Sequence, residues 1–101
     1  MGTVVVRYRT TEDGAQRNQE LVEKVFQELA ETRPEGLRYA TFRLDDGVSF
    51  VHVATVETAD ASNPLSGSAA FAEFQRELLD RCEDPPAPSP ATVVGSYGFF
   101  G

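Results

Sequence analysis

The chain has 101 residues, 9 basic and 16 acidic, for a net charge of −7, and 41% of its residues are hydrophobic. That length predicts one domain spanning residues 1–101, with a modest core that buries roughly 60–65% of the unfolded surface. An acidic chain without a basic cluster excludes nucleic acid and anionic membrane as expected partners, because phosphate binding needs concentrated Lys and Arg. The single Cys cannot form an internal disulfide, so a reducing cytoplasm is the expected location. No apolar run approaches the ~20 residues of a membrane span, and Met1–Thr11 lacks the apolar stretch of a signal peptide.

Thr3–Arg9 (TVVVRYR) is short and β-branched and predicts a strand. Asp13 followed by Gln16 has the spacing of a capping box, and Ala15–Thr32 then reads as a helix. Its apolar stripe is Leu21, Val22, Val25, Phe26 and Leu29, and Pro34 and Gly36 end it. Leu37–Leu44 and Val48–Val56 are two strands around Asp45-Asp46-Gly47. Asp-Gly favours a type I′ hairpin, which pairs His52 with Thr41 and puts Tyr39 and Arg43 on the same face; a three-residue loop would instead pair His52 with Ala40. Glu57–Ser68 is a polar connection. Ala69–Cys82 follows as a second helix with Phe71, Phe74, Leu78 and Cys82 on one face. Glu83–Pro90, with four prolines in eight residues, predicts an extended connector, and Ala91–Phe100 the last strand.

The order strand, helix, strand, strand, helix, strand is the split βαβ arrangement of a ferredoxin-like α+β fold: a four-stranded antiparallel sheet with two helices on one face. A sheet with one solvated face should alternate apolar and polar residues. Here Val4, Val5 and Val6 are consecutive, and so are the residues of Phe50–Ala54 apart from His52. Both faces are apolar, so the face without helices predicts a homodimer formed through the sheets.

These segments resemble the dimeric α+β barrel superfamily and, within it, the antibiotic-biosynthesis-monooxygenase-like domains. The resemblance rests on VVVRYR, the amphipathic first helix, the hairpin RYATFRLDDGVSFVHVATVE, the helix FAEFQRELL and the closing VVGSYGFF. It implies two chains packed sheet to sheet and a pocket between sheet and helices in each. It also implies a cofactor-independent oxygenase acting on a small apolar or aromatic molecule; the alternative is a non-catalytic dimeric module that binds a small ligand or simply assembles. Enzymes of that family often carry a Trp late in the third strand with a polar residue four positions earlier. The matching positions are Val56 and His52, and the chain contains no Trp. With one His and no Met beyond Met1, haem is not expected, and no cofactor is.

His52 is the sole histidine and the candidate general base, because an imidazole ionises near neutral pH. Tyr39, on the same face, is the candidate to orient it or share its proton. Thr41, Phe50, Val56, Phe26 and Phe74 complete the expected ligand pocket. The ordinary reading of His52 is a hydrogen-bonded core residue, and that of Tyr8, Tyr39 and Tyr97 is sheet packing. Cys82 at a helix C-terminus is expected to pack rather than react, since the dipole there disfavours a thiolate. Asp45-Asp46 read as turn residues, without the accompanying ligands of a metal site.

Overall fold

A computed structural model describes residues 2–57 and 63–98. Strand β1 (Gly2–Thr10) leads into helix α1 (Glu12–Thr32), then strands β2 (Leu37–Arg43) and β3 (Ser49–Val56). A 3-10 turn at Pro64–Gly67, helices α2 (Ala69–Gln75) and α3 (Leu78–Arg81) and strand β4 (Cys82–Ala91) complete the chain. The strands form one antiparallel sheet in the order β2-β3-β1-β4, with the helices on one face, which is the ferredoxin-like arrangement. The core joins Tyr8 and Phe50 of the sheet to Ala15, Leu21, Val22 and Val25 of α1, with Leu65 and Phe74 from the second helical layer. Among the described residues no helix is long and apolar enough to cross a membrane.

Helix α1 starts at Glu12, three residues before the expected Ala15. Its N-cap is Thr11, whose Oγ1 accepts from Gly14 N at 3.0 Å, so the expected Asp13 box is displaced by a hydroxyl two positions upstream. Arg33, held before Pro34 at φ 46°, closes the other end by donating its N–H to Leu29 O.

The β2–β3 hairpin has the expected register, His52 opposite Thr41, but not the expected type I′ turn. Gly47 N donates to Leu44 O around Asp45-Asp46, and only Gly47, at φ 79°, has a positive φ. The Asp46 carboxylate accepts from Val48 N and Ser49 N at 2.9 and 2.8 Å. The loop opens by one residue on each strand, which leaves the pairing parity untouched.

The second helix is not continuous. It breaks at Arg76, which is extended, and Glu77, which is left-handed at φ 63°, with no Gly or Pro there to announce it. The Arg81 guanidinium supports the break by donating to Phe74 O at 2.8 Å and Arg76 O at 3.4 Å, carbonyls that a continuous helix would have satisfied.

The last strand also differs from expectation. The proline-rich Cys82–Ala91 segment is β4 itself, paired with β1 from Thr3↔Ala91 to Thr10↔Cys82. The Val93-Val94 segment lies outside the sheet, with Val94 and Tyr97 exposed; the expected strand's Phe99 and Phe100 lie outside the described residues. Positions 58–62 of the expected polar connection lie outside them too. Prolines enter a strand where the missing N–H faces no partner. Backbone N–H groups alternate sides, so Pro88 and Pro90, opposite Val6 and Val4, both turn their nitrogens to the free edge.

Candidate functional site

The site is built where three strands meet under the helices. His52 on β3 lies between Val6 on β1 and Thr41 on β2. Side chains alternate along a strand, so Phe50, His52 and Ala54 all point to the helix-covered face. Tyr8 sits opposite Phe50, stacks on it with ring centroids 5.6 Å apart, and reaches diagonally to His52. Its hydroxyl lies 2.8 Å from His52 Nε2. On the other side the Tyr39 hydroxyl lies 2.6 Å from His52 Nδ1, with Thr41 Oγ1 at 3.1 Å. Both ring nitrogens are therefore engaged.

The hydrogen-bonded chain continues into the helices. Asn18, fully buried, occupies α1's inward face between Ala15 and Val22. It donates from Nδ2 to the Tyr8 hydroxyl at 2.8 Å, and its Oδ1 accepts from Arg81 Nε at 3.2 Å. No buried side-chain polar atom among the described residues lacks a partner. That is what burial of five polar side chains in a small core requires.

Above this chain is a cavity of about 310 Å³ between the sheet and the second helical layer. Val4, Val6 and Ala54 form its floor, Phe71 and Phe74 its roof, and Pro86 and Pro88 of β4 one wall, while Tyr8, Tyr39 and His52 supply polar groups from the sheet and Asn63 and Gln75 from the helical layer. The roof is fixed by a cap. Ser68 accepts from Phe71 N at the start of α2, and the Glu28 carboxylate of α1 accepts from Ser68 Oγ and Ala70 N. Those bonds hold the Glu28 carboxyl below its ordinary range.

Burial dominates the electrostatics. Desolvation brings the His52 pKa down to about 4, so the imidazole is neutral at pH 7. It pushes Tyr39 up to about 12, opposed by the Thr41 hydroxyl, and raises Tyr8 further above the ordinary tyrosine value. The arrangement is a pair of neutral phenols on a neutral imidazole, able to donate or accept hydrogen bonds at the edge of an apolar space. Among the described residues no three His, Cys, Asp or Glu side chains converge as metal ligands.

Of the residues that the sequence marks for the site, His52, Tyr39 and Phe74 lie together on the cavity. Thr41 touches His52 but faces, with Phe26 and Phe50, a more open groove between α1 and β2. Phe50 is buried beneath Tyr8, and Phe26 stacks on Tyr39 with centroids 5.0 Å apart, so both support the site from behind. Val56 shares the face of His52 but lies beyond the cavity, at the end of the sheet. Cys82 is a half-buried free thiol at the start of β4, its pKa raised by burial. Tyr8, Asn18 and Arg81 join the site without being marked for it by sequence. Asn18 carries a legible signal, a polar residue at helical spacing within the apolar stripe; Arg81 carries none, because its role depends on the helix break.

Compared with known sequences, the chain matches no family model and no curated protein. Its architecture does match solved structures. Rv0793 from Mycobacterium tuberculosis is 18% identical, with 94% of this chain and 96% of that one covered and a TM-score of 0.72. A structure of an antibiotic biosynthesis monooxygenase is 14% identical over 94% and 100% of the chains, TM-score 0.71. SnoaB from Streptomyces nogalater, a cofactor-independent oxygenase solved as its N63A mutant, is 17% identical over 96% of each chain, TM-score 0.68. The chain therefore shares the ferredoxin-like α+β fold of these structures.

Proposed function

We propose that this chain is an antibiotic-biosynthesis-monooxygenase-like protein, a cofactor-independent oxygenase acting on a small apolar or aromatic molecule. The observation that carries the reading is the apolar cavity with the Tyr8–His52–Tyr39 cluster as its polar edge. Such a cavity suits a flat molecule bearing a phenol or an enolisable carbonyl, whose oxygen can meet the Tyr39 hydroxyl, itself bonded to His52, while its rings pack against Phe71 and Phe74. Loss of a proton makes such a molecule electron-rich enough to react with O₂ directly. A methylene flanked by aromatic rings then becomes a carbonyl: one oxygen atom stays in the product, and the other leaves as water with the two methylene hydrogens. His52 and Tyr39 are the proposed catalytic pair.

The working unit in this proposal is a homodimer joined through the sheet faces. Supporting it, Val5, Val51, Val53 and Phe42 share the face without helices, and Phe42 is 44% exposed. A reducing, cytoplasmic setting suits the single free thiol. A second reading, a non-catalytic ligand-binding dimer, is favoured by one observation: the protein already satisfies both His52 nitrogens.

Oxygen uptake with anthrone as probe separates the two. The oxygenase reading expects one O₂ consumed per anthraquinone formed, lost in His52→Gln with the fold retained and lost when Ala54→Phe fills the cavity. Anthrone binding without uptake above buffer, unchanged by His52→Gln, would establish the second reading instead.

A further inference from the structure

We infer that the cavity offers the Tyr39 hydroxyl as a hydrogen-bond donor to a negatively charged ligand oxygen, an enolate or a phenolate, and that Asn18 and Arg81 are the positioning residues that set this polarity. The inference rests on the ligand site proposed above and adds the ionisation state of what it binds.

The argument starts from the one group whose role is fixed. A guanidinium has only N–H groups and accepts nothing. Arg81 Nε lies 3.2 Å from one end of the buried Asn18 amide, so that end must be the oxygen. The NH₂ end then faces Tyr8 and donates to its hydroxyl oxygen at 2.8 Å. Among the described residues the Tyr8 hydroxyl meets only Asn18 and His52, so its own hydrogen goes to His52 Nε2. A neutral imidazole carries one N–H, and with Nε2 accepting it sits on Nδ1. Nδ1–H donates to Tyr39 at 2.6 Å, with Thr41 alongside at 3.1 Å. The Tyr39 oxygen is thereby an acceptor toward His52, and its hydrogen is left for the Thr41 hydroxyl or for a ligand oxygen in the cavity that Tyr39 lines, of which a negatively charged oxygen is the stronger acceptor.

The reverse polarity costs more at Tyr8. If Nε2 carried the hydrogen, the Tyr8 oxygen would receive two bonds, and its own hydrogen, facing an amide nitrogen that accepts nothing, would have to turn out of the network into the cavity, where Tyr8 is only 3% exposed. Arg81, Asn18, Tyr8, His52 and Tyr39 thus form a run in which each group donates to the next and polarises it. A hydrogen bond from such a run strengthens as its acceptor gains negative charge.

The sole histidine makes the test direct. Long-range ¹H–¹⁵N correlation spectra of untagged, ¹⁵N-labelled protein at pH 7 report the His52 tautomer without ambiguity. Nδ1–H is expected; Nε2–H overturns the inference. In Asn18→Asp the carboxylate accepts from both Arg81 and Tyr8, so the tautomer is expected to switch to Nε2–H; an unchanged tautomer in the folded variant overturns the role of Asn18. Should that variant not fold, the wild-type tautomer decides alone. The ligand arm uses 4-nitrophenol, which ionises near neutral pH and whose phenolate is coloured. Wild-type protein is expected to bind the phenolate about tenfold or more tighter than the phenol, a preference lost in Tyr39→Phe. Equal binding of the two forms overturns the inference while leaving the ligand site standing, whereas no binding of either form counts against the site itself.

Discussion

Tyr8 and His52 are 44 residues apart and meet at 2.8 Å, hydroxyl to Nε2, because antiparallel pairing sets Tyr8 opposite Phe50 and one diagonal step from His52. That contact joins the polar chain to the aromatic core. Tyr8 stacks on Phe50 on one side and packs near Phe74 on another, with centroids 5.6 and 6.5 Å away.

Phe74, packed beside this cluster, is 3% exposed, whereas Phe26 is only half-buried. Phe74→Ala is expected to cost about 3–5 kcal/mol, the range for truncating a buried aromatic. Phe26→Ala should cost less, about 1–3 kcal/mol, since part of its surface stays in water. Urea unfolding of the two variants checks the ranking, and equal losses would show that exposure does not govern it.

The depressed His52 pKa makes stability depend on acid in a defined window. The folded state holds His52 neutral down to about pH 4, while the unfolded chain takes up the proton near 6.5. Stability is therefore fully present above pH 6.5, declines as pH falls below it, and has lost of the order of 3 kcal/mol by pH 4. Asp46 acts in a lower window, because its carboxyl is held near 2 by Ser49 and Val48. Calorimetry from pH 7.5 to 4.5 should show the melting temperature falling in wild type and nearly flat in His52→Gln.

Gly47 has φ 79° with open space where a Cβ would sit. Gly47→Ala thus isolates backbone strain from collision and is expected to cost about 1–2 kcal/mol. Because register is carried by the strands, the amide signals of Thr41 and His52 should stay in place in the variant's NMR spectrum.

Val53, half-buried in the centre of the uncovered sheet face, pairs with Val5 and Ala40. If two chains meet there, Val53→Glu buries a charge in the interface and should release a folded monomer of 11.0 kDa. Sedimentation at micromolar concentration should give a dimer for wild type; a wild-type monomer removes the dimer from the proposal.

Much of the fold is written in local pattern. The β-branched stretch of β1, the stripe of α1 and the Asp-Gly hairpin each carry a period or a turn chemistry that needs no distant partner. The errors arise where position in the sheet overrules local preference. Pro85, Pro86, Pro88 and Pro90 read as a connector because proline is costly inside a sheet; at the edge beside β1 Pro88 and Pro90 escape that cost, and Pro85-Pro86 fall where the pairing with β1 shifts register. The break at Glu77 leaves no mark because Arg81, four residues on, supplies what a terminating glycine would have. In the site, His52 and Tyr39 are legible from strand parity. Tyr8 joins them through the β1–β3 register, a long-range quantity that no local window contains.

The pairing of β1 with β4 has a consequence for the order of events during synthesis. Thr3 must wait for Ala91, almost the whole length of the chain, before its second neighbour exists. Contacts so distant in sequence form slowly, since a long loop must close before they contribute anything. Until then the valine-rich edge of β1 is bare, and an unpaired edge of that kind invites pairing with other chains. Pro86 and Pro88 also wall the cavity, so the nascent protein encloses that space only at the moment this edge is covered. Completion of the sheet and formation of the cavity are a single event in the life of the chain.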